Sequence, residues 1–282
     1  MRDSGARDQN TQVEEWEATR FPQDNLPFFV DALRGLEERR FGNEGLAVMG
    51  FLGQRDIPGV TLRQAQAILR WDRRPSLWSH VFLIREPANL ADIGTTPILE
   101  VPMYPRTGVF PRPERNAVSE GTLAQYRNPS IDANVALVSV SMTDEQARAV
   151  RDRALEYNVD RLRYDLWDTL GVWQAFLWSS GQAPNPLRAG FPIASSAYVE
   201  MAFEAIGLDL TPGASERNSS PEHIWTAAKW WHHAFAEAEQ RGLAGFYVLR
   251  DKGCALLDAD VGGSEEQPPP SSADARDAEG GP

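Results

Sequence analysis

The chain has 282 residues, 42% of them apolar and 10% aromatic, and its 28 basic against 40 acidic side chains give a formal charge of −12. That size allows one substantial core, no apolar stretch approaches the roughly 20 residues that span a bilayer, and Cys254, the single cysteine, excludes an intrachain disulfide and any multi-thiolate metal site. The acidic balance argues against nucleic acid or anionic lipid as the main partner, because both call for a basic footprint, and the run Arg70 to Arg74 is too short to reverse it.

Residues 1–24 are polar, without the apolar stretch of a signal peptide, and read as a tail in which Trp16 is the one docking group. Leu26 to Arg40 carries apolar residues at helical spacing. Gly42 to Gly53 lacks the Lys-Ser/Thr ending of a phosphate-binding loop. Thr61 and Gln64 read as a capping box opening a short helix through Leu69. Val81 to Ile84 and Pro97 to Met103 are short strands, and Val135 to Met142 is a β-branched core strand. Thr143 and Gln146 form a second capping box, for a helix that buries Ala147, Val150, Ala154 and Leu155.

Tyr164 to Trp178 is aromatic and helical in period. Ser195 to Ile206 sets Val199, Ala202, Phe203 and Ile206 on one face, and Gly207 stops that helix. Pro221 opens a long helix ending near Gly242. Phe246 to Leu249 and Cys254 to Leu257 flank a turn and suggest a hairpin, and Gly262 to Pro282 reads as a disordered tail. The expected fold class is α+β, with one domain over residues 25–261 between the two tails.

Two segments carry chemistry. His80 shares a strand face with Phe82 and Ile84, and a neutral imidazole is the usual general base for a hydroxyl or thiol; the competing assignment is a core histidine satisfied by a carbonyl. Ser195 opens its helix, where unpaired N–H groups and the dipole's positive end would lower a thiol's pKa or hold an oxyanion. Serine is also a preferred helix cap, so Ser195 or Ser196 fits that position without any chemistry. Glu100 is a carboxylate inside an apolar run, and is either paired with His80 or facing solvent.

His223, His232 and His233 lie on one predicted helix but lack the spacing of a helical zinc site. Cys254 reads as a structural thiol. Trp225, Trp230 and Trp231 fit either a core or a partner surface. The sequence calls for no metal and no cofactor.

Trp78-Ser79-His80-Val81 followed far downstream by Ser195-Ser196-Ala197-Tyr198-Val199 resembles the permuted papain-like hydrolases related to NlpC-type cell-wall peptidases, whose second segment reads Cys-Ser-x-x-Val. Ala202-Phe203, Gly207 and Ser220-Pro221-Glu222 continue the likeness, which covers roughly residues 75–230. Tyr164-Asp165 resembles the Tyr-Asp element ahead of the nucleophile helix, although aromatic packing beside Trp167 and Trp173 accounts for it equally.

The resemblance implies a circularly permuted papain-like fold, a small antiparallel sheet carrying His80 and Glu100 against the helix headed by Ser195. It implies a cysteine-peptidase-type hydrolase or acyltransferase acting on a peptide, isopeptide or other amide bond, with a peptide or protein as substrate. Ser195 is then the nucleophile, His80 the base and Glu100 its orienter, with Tyr164 and Ser196 near the oxyanion or substrate. Serine in the cysteine's place marks an inactive Cys-to-Ser form, a native serine nucleophile or a chain that has lost turnover. A catalytically inactive binding protein, a lipid acyl hydrolase and a plain interaction domain are the alternatives. The expected location is the cytoplasm, or outside the cell by a leaderless route, without integral membrane association.

Overall fold

A computed structural model of the chain describes residues 14–16, 23–38, 45–85, 88–102, 115–116, 118–156, 162–163, 194–214, 219–237 and 242–253. Nine strands occur among them: β1 (Glu14–Trp16), β2 (Gly45–Gln54), β3 (His80–Ile84), β4 (Pro97–Glu100), β5 (Arg115–Asn116), β6 (Ser119–Thr122), β7 (Asp132–Met142), β8 (Leu162–Arg163) and β9 (Leu243–Leu249). Seven form one sheet in the order β1-β9-β7-β2-β3-β4-β6, antiparallel except for the parallel pair β1 and β9, while β5 and β8 make a separate ribbon. Five α-helices accompany them: α1 (Leu26–Glu38), α2 (Ile57–Ala65), α3 (Asp144–Glu156), α4 (Ser195–Glu204) and α5 (Pro221–Glu237). The class is α+β.

Both faces of the sheet are covered, so its central strands are apolar on both sides. Phe28, Phe29, Ala32, Leu33 and Leu36 of α1 pack on one face against Leu52, Phe82, Leu137 and Val248. On the other face Val150 of α3, Tyr198, Val199 and Phe203 of α4, and Trp225 of α5 pack against Phe51, Val81, Leu83 and Val138. Full burial of each Phe, Leu or Val is worth about 1.5–3 kcal/mol, which makes these two layers the dominant stabilising term.

Strand β2, paired with both β7 and β3, has no counterpart among the elements expected from sequence. Gly45, Gly50 and Gly53 interrupt its β pattern, yet all three are required by close approach, Gly45 to the backbone at Thr143 and Asp144. A Cβ at Gly50 would fall on the Phe82 ring, and one at Gly53 on the Leu77 carbonyl.

The expected capping box at Thr61 is not formed. Helix α2 starts five residues earlier, where the N-cap Asp56 Oδ1 accepts from Gly59 N at 2.9 Å with Pro58 in the first turn, and Thr61 Oγ1 donates to Ile57 O within the helix. The box at Thr143 is present: Thr143 N donates to Gln146 Oε1 at 3.0 Å, and Gln146 N to Thr143 Oγ1 at 3.1 Å. Helix α4 ends before Gly207, which takes the left-handed φ of +70° expected of a stop.

Within the stretch read as an N-terminal tail, Glu14–Trp16 adds an edge strand to β9. Strand β9 pairs with β7 on one side and β1 on the other. Cys254 to Leu257, the helix expected over Tyr164 to Trp178, Tyr164 and Asp165 themselves, and the tail from Gly262 lie outside the described residues.

Candidate active site

His80 is the first residue of β3, opposite Leu52 of β2, and its ring leaves the strand on the face it shares with Phe82. Glu100 is the last residue of β4 and stands on the same face as Ile98. The two strands pair at Leu83–Leu99 and Ile84–Ile98, so alternation brings both side chains to one patch. There His80 Nε2 meets Glu100 Oε2 at 2.7 Å, with both side chains buried. Against a carboxylate, which only accepts, the bond is made by the tautomer with its proton on Nε2, and that tautomer leaves Nδ1 as the nitrogen a general base uses.

Two residues without any motif complete the patch. Glu100 Oε2 also accepts from the Tyr126 hydroxyl, and Oε1 from Gln125 Nε2. Tyr126 is fully buried, stacks on Phe82 at 4.9 Å between ring centroids, and lies 6.3 Å from the His80 ring. Both belong to a short 3-10 turn, Leu123–Tyr126, following β6. Such bonds hold the Glu100 carboxyl in place against the imidazole.

Ser195 approaches from the other face. The N-cap of α4 is Ala194, Ser195 is the first helical residue, and no side chain caps this helix. Its Oγ instead accepts from Val81 N at 3.3 Å. That N–H is free for it because β4 has diverged from β3 at this end. Val81 N is two bonds from His80 Cα, which places Ser195 Oγ within about 6 Å of that Cα. Among the described residues no hydrogen bond joins Ser195 Oγ to the His80 ring. The first helical bond is Tyr198 N to Ala194 O, so the N–H groups of Ser195, Ser196 and Ala197 precede intrahelical pairing.

Ser196 serves the fold: its buried Oγ donates to Ser219 O at 2.7 Å, tying α4 to the segment that opens α5. Tyr164 lies outside the described residues. Of the other sequence candidates, Trp225 is core, Trp230 is exposed, and His232 Nδ1 bonds the Leu243 carbonyl oxygen at 2.9 Å. No group of three or more His, Cys, Asp or Glu among the described residues is arranged to hold a metal ion, and no helix there is long and apolar enough to cross a membrane.

A further carboxyl, hidden inside a helical pattern, sits one turn along from Ser196. Glu200 of α4 is buried and accepts from Leu210 N, Thr211 N, Thr211 Oγ1 and Ser219 Oγ. Burial first, and Asp209 beside it second, push its pKa up from 4.5 to about 7, against the pull of the two backbone N–H groups. The native state therefore holds a proton that the unfolded chain releases at lower pH. Stability should fall between pH 4.5 and about 7, by about 3 kcal/mol, and then level off as far as this group is concerned. Urea unfolding of the native chain and of Glu200→Gln across that range checks it: the variant should lose this part of the fall while Glu222, raised likewise by burial, keeps its own, and equal slopes would reject the assignment.

In comparison with known proteins, the chain matches no family model and no curated protein sequence.

Proposed function

We propose that the chain is built for acyl transfer in the papain-like manner, with residue 195 at the nucleophile position, His80 as base and Glu100 as its orienter. The observation that supports this best is the buried His80–Glu100 pair, braced by Tyr126 and Gln125, beside a helix N-terminus whose first serine is not used as a cap. A buried carboxylate is costly unless paired, and this one is spent on orienting an imidazole.

In the proposed reaction His80 Nδ1 takes the proton of residue 195 as its side-chain atom attacks the carbonyl carbon. The electron pair moves onto the carbonyl oxygen, towards the N–H groups at the head of α4. Collapse expels the amine, which receives the proton from His80, and water then hydrolyses the acyl-enzyme by the same route. The bond class is a peptide, isopeptide or other amide.

One observation favours a second reading, a binding protein without turnover: Ser195 Oγ is occupied by Val81 N–H and not by the imidazole. A serine hydroxyl also ionises far less readily than a thiol. The two readings separate on turnover of an activated ester or fluorogenic amide by the native chain and by Ser195→Cys, with intact mass recording any acyl adduct. Acylation at residue 195 in Ser195→Cys, lost by at least a hundredfold in Ser195→Cys/His80→Ala, is the expected result. No adduct in any form would establish the binding protein.

A further inference from the structure

At the far end of α4 from Ser195 the helices and the sheet leave a cavity of about 300 Å³, a size at the lower end for ligand pockets. Its walls are apolar: Met49 of β2, Val140 of β7, Leu210, and Ile224, Ala228 and Trp231 of α5. The three α5 residues recur at helical spacing, so one face of that helix is turned to the cavity, and Lys229 stands off that face. Gly207 forms part of the wall, and a Cβ built there would meet nothing within 4 Å. Apolar walls around a space that no side chain fills make a pocket, not a seam between packed elements.

What charge the cavity carries is negative. Ile206 and Gly207 line it just past the last turn of α4, where the negative end of the helix dipole lies and where Glu204 adds a carboxylate. Asp209 lines it too and is exposed, which puts a second carboxylate where the cavity meets solvent. Its Oδ1 accepts from Thr211 N at 2.9 Å, and no cation pairs with it among the described residues. Asp209 helps to push up the buried Glu200 carboxyl, whereas a cation shared between the two would pull it down. Trp231 packs edge-on with Trp230 at 4.7 Å between ring centroids, and gives the cavity an indole, the aromatic group to which an ammonium is most strongly attracted.

The structure assigns this cavity to an amphipathic amine, a small molecule with an apolar body and a protonated nitrogen at one end. The body displaces water from the apolar walls, and the ammonium answers the Asp209 carboxylate at the opening. A fatty acid with the same body would bring its own carboxylate against Asp209 and the dipole end of α4, and an alcohol would leave Asp209 without a counter-charge. The chain's overall charge of −12 acts in the same sense, drawing cations and repelling anions. Ser195 and Ile206 are eleven residues apart, roughly 16 Å along the helix axis, so this amine is not the acyl substrate of residue 195. The assignment is independent of the acyl-transfer reading.

Isothermal titration of the full chain at neutral pH with decylamine, decanol and decanoate, each kept below its micelle-forming concentration, tests it. Decylamine should bind saturably at one site, about fivefold tighter than decanol, with decanoate weakest. Asp209→Asn keeps an acceptor for Thr211 N at an exposed position, and should weaken decylamine by about threefold while leaving decanol unchanged. Ala228→Phe fills the cavity and should abolish binding of both, with circular dichroism confirming the fold; where it does not fold, Asp209→Asn decides alone. Ser195→Ala should bind decylamine as the native chain does. Decanol or decanoate binding as tightly as decylamine, uptake without saturation, or no binding at all overturns the proposal. So does an unchanged decylamine affinity in Asp209→Asn, and loss of binding in Ser195→Ala overturns it by placing the amine at the acyl-transfer site.

Discussion

Asp251→Ala lowers the unfolding free energy at neutral pH by about 3–5 kcal/mol, measured as a reduced urea midpoint at unchanged m-value. The reason lies in Arg63, whose guanidinium is fully buried. It donates to Asp251 Oδ2 at 2.9 Å, Asp251 O at 2.8 Å and Ser76 O at 2.8 Å, with a longer contact to Gln54 O. Removing Asp251's carboxylate strands that charge in a medium that cannot solvate it. Four parts of the chain meet here: α2, the end of β2, the loop before β3 and the turn after β9.

Burial by itself would raise the Asp251 carboxyl. The charge and hydrogen bond of Arg63 outweigh that, with help from Gly253 N–H and Arg55, and hold it below the ordinary carboxylate range. Its contribution is therefore present above pH 3.8 and lost as pH falls through the lower folded value. This acid-side loss has the opposite sign to the Glu200 effect and occupies a different window. A loss under about 1 kcal/mol in Asp251→Ala would mean that water reaches the guanidinium.

Ser195→Cys should be alkylated by iodoacetamide at neutral pH roughly tenfold faster than Cys254. The new sulfur would stand at the positive end of α4 and take the Val81 N–H, one residue along the strand from His80. Each of these favours thiolate over thiol, lowering the pKa from about 8.5 to 7 or below. Burial of residue 195 opposes them by disfavouring the charged form and slowing access. The rate decides which prevails. His80→Ala in the same background should remove several-fold of the gain, and labelling no faster than at Cys254 would mean that burial wins.

What is legible in the sequence follows its periodic parts. The stripe of α3, its capping box and the Gly207 stop need only local spacing, and all three are present. β2 is illegible because its glycines answer to Phe82 and Leu77, contacts formed across the sheet. The start of α2 is misplaced for a related reason: two cap-like signals compete, and Asp56 with Pro58 prevails over Thr61.

At the site, His80 and Glu100 stand out as polar residues within apolar runs. Tyr126 and Gln125 do not, because nothing in a short 3-10 turn distinguishes a residue aimed at a carboxylate from any other. Glu200 is hidden likewise, its partners lying ten to nineteen residues further on.

The missing side chain of Gly50 sets how much change the His80–Glu100 patch tolerates. Phe82 rests in the space a Cβ would take, Tyr126 stacks on Phe82, and the Tyr126 hydroxyl reaches Glu100. A substitution on the strand behind the patch, touching neither member of the pair, would be transmitted ring by ring to the carboxylate. The candidate base is thus tuned by an atom that is not there, and variation at position 50 acts on its orientation as much as on packing.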